Sequence, residues 1–414
     1  MKFELKYGKG KTKFNLSEKN YRGTILPNMV EFHLIDEPEV KRAIQNPIES
    51  NRLKDIVKSG EKIVIITSDI TRPMPSYKVL PEIISELKQG GIKEEDITIV
   101  LALGSHRNHT EDEKKALVGE KIYFSGINII DSDMKNCIRL GVCKNGTPVD
   151  IFSPVAKADR RICVGNIEFH YFAGYSGGSK AIMPGVSSHE AIQANHSNMV
   201  KPGAFAGNID TNPVRQDIDE IIEFISIDFI VNVVLNEKKQ IVKAFAGDVI
   251  KAHRAGCKLL DEMYKIKVKE KADIVIVSPG GYPKDINIYQ SQKGLDNSKH
   301  AVKDGGIIIW CASAQEGFGE KTFEEWMTTK NPRDMISEIK SNFKLGGHKA
   351  AAIAMILEKA KIYMVSDLSN ETIQKLNFTP FSSVQDAIDC AISELGDNST
   401  VLVMPQAGST LPSL

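Results

Sequence analysis

The chain has 414 residues, 53 basic against 53 acidic, with 42% hydrophobic and 7% aromatic content. That length exceeds what one hydrophobic core usually serves, so two domains are expected. Balanced charge removes any electrostatic case for nucleic acid or an anionic membrane surface as partner. The opening MKFELKYGKGKTKFNL lacks an apolar h-region, and no run reaches the ~20 apolar residues of a membrane span, so a cytoplasmic location is expected. The six cysteines (Cys137, Cys143, Cys163, Cys257, Cys311 and Cys390) form no C-x-x-C pair, which argues against a disulfide framework or a zinc knuckle. Cys163 and Cys311 lie in apolar runs and are read as core thiols.

In chain order, residues 1–60 give short strands and helical turns between Glu37 and Ile56, interrupted at Pro47. KIVIITS (Lys62–Ser68) reads as a buried strand with SDITRPMP as its exit loop. A helix follows within Ser76–Gln89, then a second buried strand, ITIVLALG (Ile97–Gly104), and an acidic helix start at Glu111–Leu117. Continuous apolar strands separated by helices indicate a parallel sheet. Asn145-Gly146 marks a hairpin, and RRICVGNIE is a further buried strand. A helix near Val214–Ile225, a strand pair around Phe229–Phe245 and a long helix Val249–Tyr264 follow. The charge-rich run Lys265–Ala272 is the expected hinge. A second α/β unit then begins at DIVIVSPGG (Asp273–Gly281) and closes with TVLVMP. The fold class expected is α/β, with two domains, 1–267 and 268–414, each around a mainly parallel sheet with flanking helices, and the active site in the cleft between them.

The stretch Phe172 to Gly185 holds four glycines, two serines and a single charge, Lys180. A packed helix or strand tolerates so many glycines poorly, whereas a loop whose N–H groups approach an anionic group needs them. A surface turn carrying histidines by chance is the competing reading. Ser187 and Glu190 stand at capping-box spacing, so a helix is expected from about Ser188. His189 and His196 are then about 10 Å apart along its axis and cannot share one metal ion. Strand ends carry ligands in doubly wound folds, and four such ends lead into Asp69, Gly104, Asn166 and Gly280. His106 and His170, each beyond a buried strand, are assigned to proton transfer because imidazole titrates near neutrality. Arg72 offers a planar fork to a carboxylate, with a loop salt bridge to Asp69 as the alternative.

The blocks GYSGGSKAIMPG and EAIQANH, with SDITRP (Ser68 to Pro73), GSHR (Gly104 to Arg107), GNIEFHYFAGYSGG and YPKDINIYQSQK (Tyr282 to Lys293), resemble the nickel-dependent lactate racemase family. The likeness runs through most of the chain in the same order. It implies a cofactor of nickel held by a pyridinium-3-thioamide-5-thiocarboxylic acid mononucleotide, joined covalently to Lys180, with His196 as the remaining nickel ligand. It also implies Asp69, Ser176, Gly177 and Gly178 as cofactor contacts, and Arg72, Lys293, Tyr289 and Gln290 as contacts to substrate. The implied activity is racemisation at C2 of a small 2-hydroxy acid, lactate first, by hydride transfer. Proteins that build the cofactor (a pyridinium carboxylase/hydrolase, a sulfur transferase and a nickel insertase) are implied partners.

Three other readings compete. A racemase or epimerase of malate or another 2-hydroxy acid would use the same cofactor and an extra cation such as Arg107 or Lys344. A zinc-type hydrolase would use His106, His170 and His196, without a compact H-E-x-x-H pair. A non-catalytic phosphate-binding protein would use only the glycine loop. His109 is read as a helix-entry residue, His189, His300 and His348 as structural, and His33 and His253 as having no part in the site.

Overall fold

The structure, a computed structural model, describes residues 1–414. It divides into two compact units, one of Val30–Leu260 and one of Met1–Met29 with Asp261–Leu414. Both are α/β, as their alternation of apolar strands and amphipathic helices requires. No helix is long and apolar enough to cross a membrane.

In the unit Val30–Leu260 a six-stranded sheet runs in the order Ile241–Gly247, Phe229–Leu235, Arg160–Asn166, Ile63–Ser68, Ile97–Ala102 and Asn128–Asp131. All neighbours are parallel except the first pair, which is antiparallel. The inner strands are buried on both faces, which explains why they read as unbroken Ile/Val runs rather than as alternation. One face packs on Val79, Leu80, Ile83 and Leu87 of the helix Ser76–Gln89. From Ile63–Ser68 the chain adds strands on one side, then returns to add Arg160–Asn166 on the other. The reversal creates a crevice at the carboxyl ends of these two strands, where Asp69 and the segment Ile167–His170 emerge. Cys163 and Cys311 are both fully buried, as their apolar runs predict.

The other unit has a six-stranded parallel sheet in the order Thr379–Phe381, Lys361–Val365, Val302–Cys311, Ala272–Val277, Val401–Met404 and Tyr21–Thr24. The grouping of contacts differs from the expected boundary in two places. Residues 1–29 group with this unit: Tyr21–Thr24 pairs with Val401–Met404, and Leu5 and Phe14 of the opening hairpin enter its core. Within the run Lys265–Ala272, Lys265–Lys267 forms a parallel strand with Leu411–Ser413, and the division between the units falls earlier, at Leu260/Asp261, inside the helix Lys251–Tyr264.

Candidate active site

Two loops build the candidate site in the unit Val30–Leu260. The first follows Ser68. Asp69 is buried, with one carboxylate oxygen accepting from Thr71 N–H (2.8 Å) and Thr71 Oγ1 (2.6 Å) and the other hydrogen-bonded to His106 Nδ1. Burial pushes its pKa up, but the hydrogen bonds from His106 and Thr71 and the nearby charge of Arg72 outweigh that, so the carboxyl titrates below its ordinary value. An ionised Asp69 accepts the Nδ1–H of His106 and leaves the lone pair of that ring on Nε2. The expected alternative, an Asp69–Arg72 salt bridge, does not form, because Asp69 gives its oxygens to Thr71 and His106. Arg72 is exposed, and its charge acts on Asp69, His170 and Lys180, so these residues from two separate segments share one neighbourhood.

The glycine stretch forms the second loop, tied to the turn after the strand Ile97–Ala102, which carries His106, by Gly104 N–H donating to Gly185 O at 3.0 Å. His170 Nδ1 accepts from Ala173 N–H at 3.2 Å, so the ring is neutral with its proton on Nε2. Burial, and after it nearby positive charge including that of Arg72, hold its pKa well below the ordinary histidine value. Phe172 bridges the two histidines, its ring 4.5 Å from that of His170 and 4.9 Å from that of His196. Lys180 sits in a short turn of 3-10 helix, Gly178–Ala181. Burial, with Arg72 and Arg215 adding repulsion, brings its pKa well below 10.5. A neutral amine has the lone pair that an ammonium lacks.

The sign of that shift has a measurable consequence. Between the depressed folded value and 10.5 the unfolded chain binds more proton at Lys180 than the folded chain does. Folding is therefore opposed, increasingly as pH falls towards the folded value, below which the cost stays constant. Lys180→Met should raise the melting temperature of the unloaded protein at pH 7, by roughly 2–4 °C per ~1 kcal/mol relieved. Equal or lower melting would mean that folding does not depress the pKa of this amine.

The glycines also have a packing reason. Gly177 and Gly178 have φ of 77° and 61°, and a Cβ on them would meet Asn232 Oδ1 at 2.8 Å and the His253 ring at 2.9 Å. Gly178 N–H donates to Asn232 Oδ1 at 2.7 Å, and Ser176 Oγ donates to Asn166 O at 2.7 Å. These bonds fix the shape of the loop. Beneath it lies His253, read from sequence as having no part in the site: its Nε2–H donates to Ser176 O at 2.7 Å and Arg254 donates to its Nδ1 at 2.7 Å. Burial lowers its pKa to about 3, so it is a neutral strut. Fully buried Arg215 donates to the carbonyls of Tyr175, Ala173 and Gly177. Removing Arg215 would leave these carbonyls without that donor, at about 1–3 kcal/mol for each one left buried and unsatisfied. No short motif announces these residues, because they come from helices distant in sequence.

The helix His189–Ser197 carries His196. Ser188 is its N-cap, accepting from Ala191 N–H at 3.1 Å, while Ser187 donates to Ile182 O and Glu190 pairs with Arg139. The expected Ser187–Glu190 capping box is thus replaced by a cap one residue later. His196 Nδ1–H donates to Asn195 Oδ1 at 3.0 Å, and Asn195 Nδ2 donates in turn to Val214 O and Asp217. That chain selects the tautomer with its lone pair on Nε2, the arrangement found behind histidine metal ligands. Neither Asn195 nor buried Asp217 was singled out from sequence. No three His, Cys, Asp or Glu side chains converge as a metal-binding group, so His106, His170 and His196 do not make a zinc site. His189 is exposed. His348 Nδ1 accepts from Gly346 N–H, a structural bond.

In the other unit the helix Ile288–Ser298 is capped by Asn287, which accepts from Gln290 N–H at 2.8 Å. Gln290 is exposed and Lys293, three residues on and one turn away on the same side, is half-buried. The Tyr289 ring carries Lys349 Nζ at 3.8 Å from its centre.

Family comparisons agree with this construction. The model of the lactate racemase N-terminal domain matches residues 7–207, and that of the lactate racemase C-terminal domain matches 267–411. A lactate racemase of Thermoanaerobacterium thermosaccharolyticum is 36% identical over 99% of this chain and 98% of its own length. One of Lactiplantibacillus plantarum is 31% identical over 97% of each. The lactate racemase apoprotein structure from the former organism superposes with a TM-score of 0.90, covering both chains fully. A Thermotoga maritima protein, at 16% identity and TM-score 0.64 over 93% of this chain, shares the fold. By sequence along its whole length and by structure, the chain belongs to the lactate racemase family.

Proposed function

We propose that this protein racemises lactate at C2, using a nickel-pincer pyridinium mononucleotide joined to Lys180. The observation that carries the reading is the gathering of Asp69, Arg72, His106, His170 and Lys180, from three segments, at the crevice between the strands Ile63–Ser68 and Arg160–Asn166. The donor set fits the group. A neutral Lys180 amine suits amide or thioamide formation, and His196, its Nδ1 held by Asn195, offers an imidazole nitrogen that suits Ni(II) beside soft sulfur. When bound, the cofactor supplies a carbon that takes and returns hydride.

The chain's own residues then do the positioning and the proton transfer. Arg72 holds the substrate carboxylate. His106, with Nδ1–H on Asp69, presents an acceptor to the C2 hydroxyl. His170, with Nδ1 occupied by Ala173 N–H, presents a donor. For one direction of reaction this is the required pair, one group to take the hydroxyl proton and one to hydrogen-bond the oxygen. The dicarboxylate alternative loses one of its candidate cations, since both terminal nitrogens of Arg107 are engaged by Glu113 at 2.7 and 2.8 Å.

Protein produced with the cofactor-building proteins should convert either pure lactate enantiomer to an equal mixture, read by chiral chromatography. Conversion of malate and not lactate would install the runner-up instead. Arg72→Lys should raise KM for lactate by about tenfold or more, because an ammonium cannot reproduce the bidentate contact. An unchanged KM would remove Arg72 from the substrate.

A further inference from the structure

His109 was read from sequence as a helix-entry residue, yet its side chain is only 1% exposed and both ring nitrogens are engaged. Nδ1–H donates to Asp131 Oδ1 at 2.6 Å, Asp131 Oδ2 accepts the His109 backbone N–H at 3.0 Å, and Nε2 accepts from Ile70 N–H at 3.1 Å. Asp131 ends the strand Asn128–Asp131, and its side chain is 7% exposed. Ile70 lies between Asp69 and Thr71, in the turn closed by Arg72 N–H donating to Asp69 O at 3.2 Å. A rigid path thus runs from a sheet strand through Asp131, His109 and Ile70 to the carboxylate that orients His106.

A helix-entry role would not need this arrangement. The helix Glu111–Val118 is capped by Thr110 and Glu113 with their reciprocal bonds. A histidine kept only for core packing would not need both nitrogens paired to groups on two different elements. The acceptor at Nε2 meets the one backbone N–H that sits beside Asp69, where a displaced turn would swing the carboxylate. Geometric errors of this kind near a general base are costly, since proton transfer depends on hydrogen-bond reach.

We propose that His109, held by Asp131, is a positioning residue for the Asp69–His106 pair. Its job is to fix the Asp69–Arg72 turn through Ile70 N–H, so that the Asp69 carboxylate keeps the Nδ1–H tautomer and orientation of His106. The proposal rests on the reading that His106 exchanges a proton with substrate, but its structural half is testable without turnover.

The test uses the full-length chain labelled with 15N-histidine. The Nδ1–H signal of His106 is assigned by its loss in Asp69→Asn, and its exchange with water is measured. His109→Asn keeps a donor for Asp131 but is too short to reach Ile70. His106 Nδ1–H exchange should then quicken by about tenfold or more, the loss expected when one ordering hydrogen bond goes. His109→Gln, whose Oε1 can stand where Nε2 stood, should stay within about threefold of wild type. Unchanged exchange in folded His109→Asn overturns the proposal. If that variant does not fold, quickened exchange in His109→Gln equal to that of an exposed histidine overturns it as well. In loaded protein, His109→Asn should cut kcat about tenfold or more, yet add less than about twofold in an Asp69→Asn background. Full additivity there would mean a merely structural role. Failure of the wild type to racemise lactate would sink the functional reading, leaving the exchange result to judge His109 by itself.

Discussion

Lys180→Ala protein, made alongside the cofactor-building proteins, is expected to fold, to acquire no added mass on the peptide spanning residue 180, and to show no racemase activity. Wild-type protein made in the same cells should carry the added mass on that peptide and be active. The expectation follows from the setting of the amine. Acyl or thioacyl transfer to nitrogen needs a lone pair, and a lysine at pH 7 normally has none. Burial, with Arg72 and Arg215 acting as like charges, favours the neutral form. The same shift that makes Lys180 costly to fold makes it a nucleophile, the usual trade at a functional site. Lys180→Arg separates the two properties, since it keeps length and charge but cannot be neutral. It should also stay without added mass, and should melt lower than Lys180→Ala. Normal loading of either variant would move the attachment point to another residue.

How much of this could be read from residues alone varied with the reach of the interaction. Strands Ile63–Ser68, Ile97–Ala102 and Arg160–Asn166 were legible because burial on both faces demands continuous Ile/Val runs. Asp69, His106 and His170 were legible as candidates because each sits a few residues beyond such a strand, where local order predicts the carboxyl-end crevice; Lys180 stood out as the one charge in the glycine loop, its role coming from the family likeness. What supports them was not. His253 and Arg215 come from the helices Lys251–Tyr264 and Pro213–Glu220, and nothing in their local sequence shows that they pack under the glycine loop. The glycines themselves were legible as a requirement, but their packing partners were not. Asn232 and the His253 ring, both distant in sequence, fill the space a Cβ would need. The pairing of Tyr21–Thr24 with Val401–Met404 was hidden for the same reason, because it leaves no trace in the local sequence.

Racemisation in D₂O should leave the hydrogen at C2 in place, and His106→Ala should slow it by about 10²–10⁴. The size of the mutational loss by itself separates nothing, since a scheme with two histidines abstracting the C2 proton expects the same. The position of the C2 hydrogen separates the schemes. A proton taken by His106 or His170 would exchange with solvent, placing deuterium at C2 of the product. If the histidines act only at oxygen, deuterium appears in the hydroxyl alone, and a 2-keto acid, stoichiometric with enzyme at most, is released by rapid acid quench. The geometry favours the second outcome. Asp69 orients His106 as an acceptor at Nε2, and Ala173 N–H at His170 Nδ1 keeps that ring neutral with its proton on Nε2. A carbon acid as weak as C2 of lactate needs a strong base on whichever face loses the proton. Low-pKa His170, depressed chiefly by burial, is a poor one. Hydrogen bonding to a hydroxyl or keto oxygen asks far less of it. Extensive deuterium at C2 with no keto acid on quenching would make the histidines carbon bases and would require a different role for Lys180.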